Sequence, residues 1–267
     1  MIIDFHTHIF PDEIAEKTMR FLRDEIDDMY GAAHDGTATG LLKNMDAWDI
    51  EISVVLPVVT KQAQTKHINE WAAEISSDRL VSFGGIYPHT DDYKRDIDFV
   101  AGLGLKGLKF HAEYQKFNVD DDLMLRIYDY ALMKGLIIMH HGGLDEAYPK
   151  SARSTPQMFA RVAKEMKGGV IIASHLGGYK LWDDVEKYLA GSDVYLDTSM
   201  GFEFFTKDQF MRIAEKHGTD KILFASDSPW SNAKTEIESL KRMPLSDADK
   251  DAILSGNAIR ILNILND

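Results

Sequence analysis

Two histidines stand one residue apart near the start of the chain, in Ile2-Ile3-Asp4-Phe5-His6-Thr7-His8. The run is β-branched and aromatic, which predicts a strand. Side chains on a strand alternate faces, so His6 and His8 point the same way. Two imidazoles on one face, at the end of a buried strand, make half of a divalent-metal site. The other ligands must come from further strand ends, and polar residues recur there: Lys109 and His111, His140 and His141, His175, and Asp227. The chain has no Cys, which excludes disulfides and thiolate ligands, so a metal must rest on His, Asp or Glu. Three or four His with one Asp suit a divalent ion, Zn²⁺ best, with Mn²⁺ or Fe²⁺ as alternatives. An ion with an open position lowers the pKa of bound water towards about 7 and supplies hydroxide at neutral pH.

Those residues need a scaffold that brings them to one place. Strand-like apolar runs occur at residues 2–8, 52–58, 80–87, 104–111, 136–141, 170–175, 194–198 and 222–227. Helical stretches separate them. Leu123, Ile127 and Ala131 keep one helical face, and Thr155-Pro156 is a cap followed by a first-turn proline. Thr206 with Gln209 fits a capping box, and a last segment runs through Ile261 and Leu265. Regular alternation over 267 residues predicts the α/β class and a (β/α)₈ TIM barrel, one domain over 1–267. A doubly wound open sheet would open with a glycine-rich phosphate loop, and none follows the first strand. In a barrel the C-terminal strand ends share one mouth, where the polar residues above fall.

Strand parity narrows the choice. His140 and His141 must face opposite ways, and alternation alone does not say which faces the barrel. Lys109 and His111 share a face, so either can contact metal or substrate. Asp227 ends an apolar strand and precedes Ser228-Pro229-Trp230. A buried carboxylate there needs a cation, which reads as a metal ligand. Phe10 and Trp230 follow strand ends, as do Phe202, Phe204 and Phe205. They predict an apolar pocket wall or packing of loops on the rim.

Lys plus Arg is 30 and Asp plus Glu is 43, giving a net charge of -13. That excess repels phosphate backbones and anionic membrane, so neither nucleic acid nor membrane is an expected partner. Asp4, His6 and His8 interrupt the first apolar run, which argues against a secretory leader. No apolar run approaches the roughly 18 residues that span a bilayer. The expectation is a cytoplasmic protein with a small-molecule substrate, and a homo-oligomer is left open.

The ordered set of motifs resembles the amidohydrolase superfamily of metal-dependent barrels. Within it, the chain is similar to the amidohydrolase-related branch of aromatic-acid decarboxylases and a pyrone-dicarboxylate lactonase. Asp4-Phe5-His6-Thr7-His8 resembles the opening metal motif, and Gly104-Leu-Lys-Gly-Leu-Lys-Phe-His111 the fourth strand. Ile138-Met-His-His-Gly142 resembles the fifth, Ser174-His-Leu-Gly-Gly178 the sixth, and Ala225-Ser-Asp-Ser-Pro-Trp230 the eighth. Gly256-Asn257-Ala258 resembles the C-terminal segment.

The resemblance implies one metal held by His6, His8, His140 and Asp227. It selects His140 because the ligand stands two residues before the glycine. It makes His175 the group that orients water and works as acid or base, with Asp227 beside it as the second catalytic residue. Phe10, Lys109, His111 and Trp230 are the expected substrate contacts. A Lys bridging two metals occurs in binuclear relatives, but in this branch the fourth-strand Lys is usually not a bridge. The expected activity is hydrolysis of an amide, ester or lactone. The alternative is non-oxidative decarboxylation of a small aromatic or unsaturated acid at the same site. The sequence shows no arginine at a strand end to clamp a carboxylate, which favours hydrolysis.

Overall fold

In a computed structural model, residues 1–26 and 29–264 are described. The strands are β1 (Ile3–Thr7), β2 (Ile52–Val55), β3 (Leu80–Ser82), β4 (Gly107–Phe110), β5 (Ile137–His140), β6 (Ile171–Ala173), β7 (Tyr195–Asp197) and β8 (Ile222–Leu223). Helices α1 (Asp12–Glu25) and α2 (Ala38–Ala47) follow β1, α3 (Thr65–Glu74) follows β2, and α4 (Tyr93–Gly102) follows β3. After β4 come α5 (Ala112–Gln115) and α6 (Asp122–Met133), and after β5 comes α7 (Pro156–Glu165). Then α8 (Trp182–Asp184) runs into a π-helical turn (Val185–Leu189), and α9 (Lys207–His217) follows β7. The chain closes with α10 (Ala233–Lys241), α11 (Asp247–Asp251) and α12 (Asn257–Leu262). Leu265, expected in the last segment, lies outside the described residues.

Every strand pair is parallel, in the orders β1-β2-β3 and β4-β5-β6-β7-β8. Backbone hydrogen bonds carry the ladder across both gaps. Gly84 N–H donates to Gly107 O (2.8 Å) and Lys109 N–H to Gly84 O (2.9 Å), joining β3 to β4. Phe5 N–H donates to Phe224 O (3.0 Å) and Asp227 N–H to His6 O (2.8 Å), joining β8 to β1. The eight strands thus form the TIM barrel expected from the alternation.

The parallel strands are largely buried on both faces, which is why several of them read as mainly apolar runs. Ile3, Phe5, Val54, Phe83, Met139, Ile172 and Leu223 form one core cluster. Leu108, Phe110, Ile138 and Leu196 pack with the helices in another. On β5 this separates Met139 from Ile138, as the period of two requires.

The helix starts follow local chemistry. Thr155 Oγ1 accepts from Met158 N–H ahead of Pro156, and Thr206 Oγ1 accepts from Gln209 N–H. The box at Thr206 is only half formed, because the Gln209 side chain donates to Asp183 instead (2.7 Å).

Candidate metal centre and its pocket

The end of β1 and the loop after β8 bring His6, His8 and Asp227 together. His6 Nε2, His8 Nε2 and Asp227 Oδ1 stand 3.1 Å from one another on all three sides. The second nitrogen of each ring is committed. His8 Nδ1 donates to Leu56 O (3.0 Å), and His6 Nδ1 faces Asp197 Oδ2 (3.0 Å). Both Nε2 atoms therefore present lone pairs towards a carboxylate oxygen. Burial lowers the His6 pKa to about 3, so its ring is neutral and donates to an ionised Asp197. Donors held about 2.0–2.2 Å from one ion lie about 3 Å apart, so the three atoms fit a single divalent cation. Lys109 Nζ, buried at the end of β4, lies 3.0 Å from His6 Nε2 and 3.4 Å from Ser174 Oγ.

His175 reaches the same mouth by a break in the strand pattern. It stands at φ 59°, with Leu176 at φ 52°, both in the left-handed region that side-chain-bearing residues rarely adopt. Its ring lies 5.3 Å from that of His6. Nε2 is 3.1 Å from His141 Nδ1, and Nδ1 is 2.9 Å from Ser199 Oγ. Asp197 Oδ1 accepts the backbone N–H of both His175 (2.8 Å) and Ser199 (3.0 Å). Asp227 also stands in the left-handed region, at φ 67°. Such backbone costs of order 1–3 kcal/mol and persists where the surroundings over-determine it.

His140 is not at this centre. Its ring is fully buried, stacks on Phe110 (5.2 Å) and contacts Phe117, Tyr128 and Phe159. Neither of its ring nitrogens has a hydrogen-bond partner among the described residues. The odd residues of β5 face the barrel, so His140 faces the helices and His141 faces the mouth. The ligand expected at His140 is thus corrected: the neighbouring ring is the one at the mouth. His141 Nε2 donates to Leu144 O (2.9 Å), and its ring stacks on His111 (4.4 Å). Gly143 holds this loop against the next one. It pairs with Tyr179, and a Cβ there would stand 2.1 Å from Tyr179 N at φ +89°.

Lys109, His111, Phe10 and Trp230 all line the cavity above the centre. Phe205 instead packs on Trp182 and Phe210, and Phe204 meets Tyr30 and Tyr179. Three groups in this region escaped the sequence reading. Asp197 ends β7 and orders His6 and His175, and its strand-end position was a signal. Asp145 pairs with His111 Nε2 (3.1 Å) from a loop that carries no such signal. Asp4 accepts from Ser226 N–H (2.9 Å) and Oγ–H (2.5 Å), and burial raises its carboxyl to about 7.

A family model described as Amidohydrolase matches residues 3–264. The chain belongs to this amidohydrolase family. No curated protein matches the sequence of this amidohydrolase. Solved structures share its fold over nearly the whole length. A 5-carboxyvanillate decarboxylase from Novosphingobium aromaticivorans, complexed with manganese and 4-hydroxy-3-methoxy-5-nitrobenzoic acid, is 16% identical at a TM-score of 0.77, covering 99% of this chain and 96% of that one. A 2,6-dihydroxybenzoate decarboxylase from Rhizobium is 16% identical at a TM-score of 0.68, covering 98% of each chain. An uncharacterized TIM-barrel protein from Bordetella bronchiseptica is 17% identical at a TM-score of 0.78, again covering 98% of each.

Proposed function

We propose that this amidohydrolase is a metal-dependent non-oxidative decarboxylase of an aromatic or unsaturated carboxylic acid. The reading rests on one observation: three converging lone-pair donors and a buried Lys109 meet at the floor of a largely apolar cavity. The missing arginine, which favoured hydrolysis in the sequence, matters less once Lys109 stands there. Its charge can pair with a substrate carboxylate. The two decarboxylases of like fold support the same choice over hydrolysis of an amide, ester or lactone.

His6, His8 and Asp227 would hold one divalent ion, and two His with a carboxylate suit Mn²⁺ as well as Zn²⁺. Bound there, the ion supplies Lewis-acid stabilisation of charge on the substrate oxygens. The chain supplies the proton. Burial lowers the His175 pKa, so at neutral pH the ring is uncharged and carries one N–H. To act as the acid the ring must take up one further proton from solvent; as imidazolium it gives a proton to the substrate ring carbon bearing the carboxylate and returns to the neutral form. The bond to the carboxylate then breaks, its electron pair restores the ring, and CO₂ leaves. Net uptake is one proton, and His141 lies 3.1 Å from His175 Nε2 to help return one.

The test is a panel of hydroxylated benzoates, lactones, esters and amides against metal-loaded protein. Loss of the carboxylate carbon with equimolar CO₂ is expected. Hydrolysis of a lactone, ester or amide without CO₂ overturns the proposal. His175→Asn should keep its metal and lose about 10² to 10⁴ in rate.

A further inference from the structure

The cavity above the centre holds about 820 Å³. That is far more than one ring needs, since about 150 Å³ accommodates benzene. Pockets of about 300–1,000 Å³ hold drug-sized ligands. The polar groups of the floor, His6, His8, Lys109, His175 and Asp227, account for one end of such a ligand. Away from the floor the wall turns apolar. Helix α1 supplies Ile14, Phe21, Leu22 and Ile26 lies just past its end, while α3 supplies Ile68 and Trp71. The apolar wall does not stop at the opening. Ile14 is 48% exposed and Phe21 57% exposed, although both line the cavity. The part of α1 that anchors it to the barrel is elsewhere, at the buried Ala15 and Met19. Phe21 and Leu22 are thus placed to cover a ligand and are little used by the fold.

We propose that the substrate carries an apolar extension beyond its carboxylate-bearing ring, a second ring or a chain of several methylenes. The extension lies along Phe21, Leu22 and Ile26 and against Trp71. The inference rests on the reading of this cavity as the substrate site, and its test is binding rather than turnover.

The metal-loaded protein is titrated calorimetrically with 2-hydroxybenzoate and with its 4- and 5-alkyl derivatives from methyl to hexyl. In at least one series the dissociation constant should tighten about fourfold per methylene until the wall is covered. Phe21→Ser with Leu22→Ser should flatten that slope and leave binding of the unsubstituted acid within about twofold. A constant that stays level or weakens from methyl onwards in both series overturns the inference, as does a slope the double variant does not change. CO₂ release from the parent acid with a level series would sink this inference alone. A clear slope without CO₂ release from any member would sink the decarboxylase reading alone.

Discussion

Adjacent His140 and His141 meet opposite environments, and that difference sets the most direct test of the centre. His140 is packed among aromatic rings with no polar partner, so it contributes packing and no ligand. His140→Ala should keep a full complement of metal by elemental analysis and unfold more easily by roughly 2–4 kcal/mol in urea. Asp227→Asn should do the reverse, losing metal with a smaller change in the metal-free protein's stability. Retention of metal in Asp227→Asn and its loss in His140→Ala would return His140 to the ligand set. At this scale, charge is balanced by hydrogen bonds. Asp197 alone receives two backbone N–H groups and a ring nitrogen, and so stays ionised in a buried place.

Among the elements, α10 carries a titrating group that serves no visible chemistry. Glu236 is buried, receives Ser231 Oγ–H on Oε1 (3.1 Å) and has no partner on Oε2 among the described residues. Burial raises its carboxyl to about 8 from the usual 4.5. Between those values the folded chain holds a proton that the unfolded chain has lost. Stability from this group is present in full below about 4.5 and falls as pH rises towards 8, by on the order of a few kcal/mol. Glu236→Gln keeps the shape without the titration. Its urea midpoint relative to the parent should rise steadily from pH 5 to pH 8.5, and a constant difference would show that Glu236 is ionised throughout. The C-terminal elements have a clearer task. Asn257 at the head of α12 donates to Thr219 O (2.8 Å) and Ile222 O (2.7 Å), and Phe224 N–H donates to Ile253 O (2.8 Å). These bonds hold the strand whose far end presents Asp227.

The whole molecule needs a closed ring, because the centre takes His6 and His8 from the first strand and Asp227 from beyond the last. A cation binding all three stabilises the closed ring over the open chain. Metal at 100 times its dissociation constant should add about 2.7 kcal/mol, seen as a melting temperature that falls on chelation and recovers on add-back. Elemental analysis of metal-loaded protein should give a ratio near one per chain. A ratio near two would defeat the mononuclear reading and implicate the close group that shares no residue with the first, His111, His141 and Asp145. No helix among the described residues is long and apolar enough to cross a membrane.

The sequence by itself determined the barrel, the strand ends that carry His6, His8, His175 and Asp227, and the shared face of Lys109 and His111. These follow from short-range rules: apolar runs separated by helices, and a side-chain period of two. What it left open was anything that depends on absolute orientation. Alternation says that His140 and His141 diverge, but only the packing of β5 against α6 and α7 decides which of them meets the barrel. Likewise, period two would place Ser174 and His175 on opposite faces. Both reach the mouth because the chain turns left-handed at His175, where Asp197 holds its backbone N–H. Asp145 and the apolar wall of α1 arrive from loops and a helix far along the chain from their partners. No local pattern encodes such meetings, because they are set by how the ring closes and how its outer helices lie on it.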